Sequence, residues 1–124
     1  MPLISWAYLC DYAFVDIVGK AYLNGMFEEL NLKSLPALEP QIFVALAVIM
    51  ANDESCFFNA AITSPTGREL ARDNVACNGP VGGGKSIRTF KFYNTEFSET
   101  GVHHIEILVD GICVYSIPFS VSIQ

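Results

Sequence analysis

Apolar residues alternate with polar ones at period two through much of the chain, the spacing of strands that turn one face to a core. The clearest case lies between Phe97 and Ile123, where Thr100-Gly101 opens an apolar run, Asp110-Gly111 interrupts it and Ile112 to Val121 brings it back. Asp-Gly between two β-branched runs predicts a hairpin, because both central positions of a type I′ turn need φ > 0. Ile105, Ile107 and Val109 then share one face, as do Phe119, Val121 and Ile123 on the return. A hairpin alone is marginal in water, so this one is expected to lie on more sheet.

The rest of the chain supplies it. Leu3 to Phe14 is rich in aromatic and β-branched residues, and Ile17-Val18-Gly19-Lys20 follows as a turn before Ala21 to Phe27, which predicts two strands. Gly25 inside the second suggests a bulge or a close backbone approach. Glu28 to Pro40 carries Leu30, Leu32, Leu35 and Leu38 among polar residues, and Pro36 and Pro40 cap any helix at one turn. It reads as a crossing loop with room for a short helical turn.

Gln41 to Ala51 is apolar on both parities, with Ile42, Val44, Leu46 and Val48 on one and Phe43, Ala45, Ala47 and Ile49 on the other. Periodicity alone leaves a doubly buried strand and a buried helix open, and length with β-branching favours a central strand. Asn52-Asp53-Glu54 is a polar turn, Cys56 to Thr63 a strand, Ser64-Pro65-Thr66-Gly67 a β-turn and Arg68 to Ala76 the returning strand. Asn78 to Gly84 is loop by composition, and Ile87 to Tyr93 alternates as a half-exposed strand. Roughly eight short, mostly antiparallel strands with regular turn signals predict an all-β, single-domain β-sandwich over residues 1–124, immunoglobulin-like or C2-like.

Composition narrows the function classes. The chain is 52% apolar and 16% charged, which excludes disorder and predicts a full core with apolar surface left over. Its formal charge of −6 and its scattered basic residues would repel phosphate backbones, so no nucleic-acid partner is expected. The longest apolar run, residues 42–51, is about half of what a membrane helix needs, and no membrane partner is expected. The first residues, Met1 to Tyr8, carry no basic n-region, so the expected compartment is the cytoplasm. Cys10, Cys56, Cys77 and Cys113 form no C-x-x-C pair and read as buried free thiols.

Residues 79–86, Gly-Pro-Val-Gly-Gly-Gly-Lys-Ser, spell G-x-x-x-x-G-K-S. A true phosphate loop begins a helix at its lysine, whereas the residues after Lys85 alternate as a strand and Pro80 removes an N–H from the cradle. The string therefore reads as a glycine-rich connection. His103 and His104 are adjacent and would point to opposite faces of a strand, too far apart in direction to chelate one metal. Glu106 shares the His104 face. Cys10-Asp11 would need a nearby base to act as a nucleophilic site, and none is visible. No catalytic, cofactor-binding or metal residue, no cofactor and no enzymatic activity are expected.

Leu9-Cys10-Asp11-Tyr12-Ala13, the stretch Gly19 to Phe27, the Ser64-Pro65-Thr66-Gly67 turn and the closing run from Phe97 through Asp110-Gly111 to Pro118-Phe119-Ser120-Val121 together resemble a family of short uncharacterised bacterial β-sandwich proteins. The resemblance implies the fold and carries no activity or site residue. The expected function is a non-enzymatic protein-interaction or structural module that binds a protein partner or itself as a homodimer. A small-ligand or carbohydrate-binding module is the alternative.

Overall fold

In the computed structural model, which describes residues 2–124, the chain forms β1 (Leu3–Val15), β2 (Ala21–Met26), β3 (Glu29–Leu32), β4 (Ala37–Met50), β5 (Ser55–Thr63), β6 (Glu69–Asn78), β7 (Gly84–Phe97), β8 (Gly101–Val109) and β9 (Ile112–Ile123). They make a four-stranded sheet ordered β2-β1-β4-β7 and a five-stranded sheet ordered β3-β9-β8-β5-β6. All pairings are antiparallel except β3 with β9. The fold is the all-β sandwich that the alternation predicts, with no helix among the described residues.

The turns sit where their chemistry requires. Asp110 and Gly111 take φ of 49° and 84°, both positive as a type I′ turn demands, and β8 returns as β9. The core lies between the sheets, where alternate positions of β4 and β7 (Val44, Leu46, Phe90, Phe92) meet those of β5, β8 and β9 (Phe58, Ile62, Ile105, Phe119). Each such side chain contributes roughly 1.5–3 kcal/mol by leaving water.

Two expectations are corrected. Residues 28–40 are not a crossing loop with a helical turn. After crossing between the sheets at Phe27–Glu28 the chain forms β3, whose residues pair in parallel with Ser120–Ile123 of β9, and β4 then starts at Ala37. Parallel pairing across some ninety residues has no local turn signal, so the sequence hides a strand this short. That strand makes nine among the described residues rather than eight. The thiols also differ from expectation, since Cys10 and Cys77 are buried but Cys56 is half-buried and Cys113 exposed.

The two-parity strand is central, as its pattern predicts, between β1 and β7. The cover over its outer face comes from the chain itself. Ala13 packs with Cys10, Phe43 and Ala45 in a second buried cluster, flanked by Trp6 and Leu23. Val15 and Gly19, at the tip of the β1–β2 hairpin, lie beside Lys85, Ser86 and Ile87 of β7. The hairpin therefore leans across β4 as an arm instead of continuing the plane of the sheet. Gly25 supplies the bend: its φ is 68°, and an added Cβ would collide with the Asp11 carboxylate on the opposing strand.

Candidate functional site

The rolled arm has two consequences for the surface. The first is a free backbone edge. β2 pairs with β1 only from Cys10 to Val15, while β4 pairs with β1 on the other side from Leu3 to Cys10. Because the arm departs at Cys10, no strand among the described residues pairs with the far edge of Leu3–Tyr8. A bulge between Ile4 and Trp6 leaves Ser5 without a β4 partner, and Leu3 and Ser5 are both exposed. Residues 3–10 carry no charge and no proline, two of the devices that guard an edge, and the bulge at Ser5 is the one irregularity along it. The neighbouring edge of β9 differs, because Pro118 removes an N–H there.

Beside this edge lies a cleft of about 870 Å³ where the chain crosses between the sheets. Ala7, Tyr8, Phe27, Ile117 and Phe119 give it an apolar wall, and Glu28 and Glu29 line it with negative charge.

The second consequence is an aromatic outer face. Tyr8, Tyr12, Phe14, Tyr22 and Tyr93 are between 42% and 59% exposed on the four-stranded sheet and its arm. Phe14 stacks on Tyr22 at 4.7 Å, and Phe43 bridges Tyr12 at 5.2 Å and Tyr93 at 6.2 Å between ring centres. The arm is held at its tip by Asp16, whose Oδ1 accepts the N–H groups of Val18 and Lys20 and whose Oδ2 accepts the Tyr22 hydroxyl. Those bonds, led by that from Lys20, hold the Asp16 carboxyl below its ordinary range. Between the arm and β7 runs a groove of about 600 Å³, bordered by Tyr12, Phe14, Phe43, Arg88, Lys91 and Tyr93.

The residues singled out by sequence do not converge. Gly79 to Gly83 connects β6 to β7, and Lys85 and Ser86 pair with Ile49 and Val48 in a strand, so no helix N-terminus faces the glycines. An added Cβ at Gly79 would meet the Ala51 carbonyl oxygen, which explains a glycine there without any phosphate. His103 is fully buried between Phe97 and Phe119, with Nδ1 at 3.1 Å from the Gly101 carbonyl, whereas His104 lies on the outer face. Cys10 is buried, its thiol donating to the Phe43 carbonyl at 3.8 Å. Burial, then the charge of Asp11, raises its pKa, the reverse of what a thiolate nucleophile needs. Among the described residues no cluster of three or more His, Cys, Asp or Glu could hold a metal ion. Among the described residues no helix is long and apolar enough to cross a membrane.

A model described as "Family of unknown function (DUF6941)" matches residues 5–122, and the chain belongs to that family. No curated protein matches it in sequence. Among solved structures, the alkylpurine DNA glycosylase AlkC of Pseudomonas fluorescens, bound to DNA containing an abasic site analog, is similar at a TM-score of 0.51 and 16% identity. That likeness covers 76% of this chain and 27% of the glycosylase. A β-glucosidase from Listeria innocua, in complex with glucose, is similar at a TM-score of 0.52 and 16% identity, over 77% of this chain and 15% of the enzyme. The chain thus spans about a quarter or less of either protein. At this identity the likeness concerns the fold alone.

Proposed function

We propose that this member of the family is a non-enzymatic contact module that works by strand addition, pairing the free edge of β1 with the same edge of a second copy. The observation that carries this reading is the open backbone of Leu3–Tyr8, left bare by the departure of the arm. Unpaired backbone N–H and C=O groups on an uncharged edge recruit an extended segment, because main-chain hydrogen bonds supply affinity whatever the sequence. Leu-Ile-Ser-Trp-Ala-Tyr is uncharged, so no like charges face each other along the two strands when they pair antiparallel. A two-fold axis through that pairing gives a closed dimer and joins two four-stranded sheets side by side.

Sedimentation equilibrium at micromolar concentration tests this. Wild type is expected at twice the 13.6 kDa chain mass, and Ser5→Lys at the chain mass, since Ser5 is exposed and bonds no β4 residue. The melting temperature of the variant at high dilution should equal that of wild type. A wild-type monomer across the concentration range, or a dimer that survives Ser5→Lys, would sink the reading.

A further inference from the structure

We infer that the groove beneath the arm is a binding site for a small aromatic anion, with an aryl carboxylate as the ligand class. The site is separate from the β1 edge and does not depend on dimer formation.

Its size suits one or two rings, since small-ligand sites begin at roughly 300 Å³ and this groove holds about 600 Å³. Its flanks are aromatic, with Tyr12 and Phe14 on the arm and Tyr93 on β7 around a floor at Phe43. Rings in such a slot gain from offset or edge contacts beyond area burial. Aromatic surface alone would suit many ligands, and the polar residues select among them.

Lys91 and Arg88 both line the groove, two of the seven cations in a chain of charge −6. The Lys91 ammonium lies 5.8 Å from the centre of the Phe43 ring. Among the described residues no carboxylate forms an ion pair with either cation, and no Asp or Glu lines the groove. The Asp73 carboxylate accepts the backbone N–H groups of Asn74 and Lys91, one on each oxygen, and does not line the groove. Arg88 makes one long bond, from its terminal nitrogen to the Asn78 carbonyl at 3.4 Å, and its buried Nε has no partner. A carboxylate is the acceptor best matched to guanidinium and ammonium groups. A sugar is a poorer match, because no carboxylate or carboxamide lines the groove to take its hydroxyl hydrogens.

The test is a titration of the isotope-labelled full chain with 1-naphthoate, read as amide shifts, beside 1-naphthylmethanol as the neutral analogue and acetate as the ringless one. Saturable shifts are expected at Tyr12–Val15 and Thr89–Tyr93. Lys91→Gln should weaken the naphthoate affinity about tenfold, close to one lost charge-assisted contact, and the neutral analogue should bind wild type weaker by a similar factor. Lys33→Gln, a cation outside the groove, should leave affinity unchanged. Lys91 is exposed, so its variant retains the fold, which the same spectra verify. Equal binding of the alcohol and the carboxylate, unchanged affinity in Lys91→Gln, or saturation that maps elsewhere would each overturn the assignment.

Discussion

At Glu39 the environment sets a charge that the sequence alone does not reveal. Burial, then the nearby negative charge of Asp11, raises its carboxyl above the ordinary value of 4.5. In the window just above that value the folded chain therefore binds more protons than the unfolded one, and stability falls as pH rises through it. Glu39→Gln is expected to flatten this slope and to raise the urea midpoint at neutral pH, with no effect below the window. The thiols divide by the same logic of burial. Cys113 is exposed and Cys10 and Cys77 are buried, so a disulfide reagent should consume one thiol fast, and Cys113→Ser should abolish that phase. Burst amplitude from Cys10 in the folded protein would contradict its raised pKa. The buried-thiol reading holds for Cys77, which packs into the core between the sheets, and for Cys10, which packs with Ala13, Phe43 and Ala45. It does not hold for Cys56, half-buried at the second position of β5, or for Cys113, which follows Ile112 at the start of β9, where the strand emerges from the turn into solvent.

Local chemistry made most elements legible. Asp110-Gly111 and the Ser64 to Gly67 turn fix their hairpins through positive φ and proline placement, so β5, β6, β8 and β9 follow from neighbouring residues. β3 was hidden because its partner lies at the far end of the chain, and β4 extends past Pro40 because Ala37–Glu39 still pair with Thr95–Phe97. The arm shows a different limit. Two-parity apolar residues in β4 reveal that both faces are covered, yet period two cannot say by what, and the cover proved to be Ala13 and its hairpin. The uncharged edge of Leu3 to Cys10 is legible in the sequence, whereas the groove depends on the bend of the hairpin at Gly25. Since Asp16 ties the tip through three bonds, Asp16→Ala should lower hydrogen-exchange protection of Ala21–Leu23 while β4 amides keep theirs. Equal loss in both strands would mean that the arm and the sheet open together.

Across the whole molecule, the two proposed contacts differ in the sign of their electrostatics. Each chain carries −6, so a dimer brings two like-charged bodies together along an uncharged edge. The groove instead gathers cations toward an anionic ligand. Added salt shortens the Debye length from about 10 Å at ~0.1 M to about 3 Å at ~1 M, which weakens repulsion between the chains and attraction within the groove alike. Sodium chloride raised over that range is therefore expected to tighten self-association and to weaken 1-naphthoate binding in the same protein. Ser5→Lys removes the first trend and leaves the second, and Lys91→Gln does the reverse. Two affinities that move in the same direction with salt would show that at least one contact is driven by something other than the charges assigned to it. The variants then identify which one.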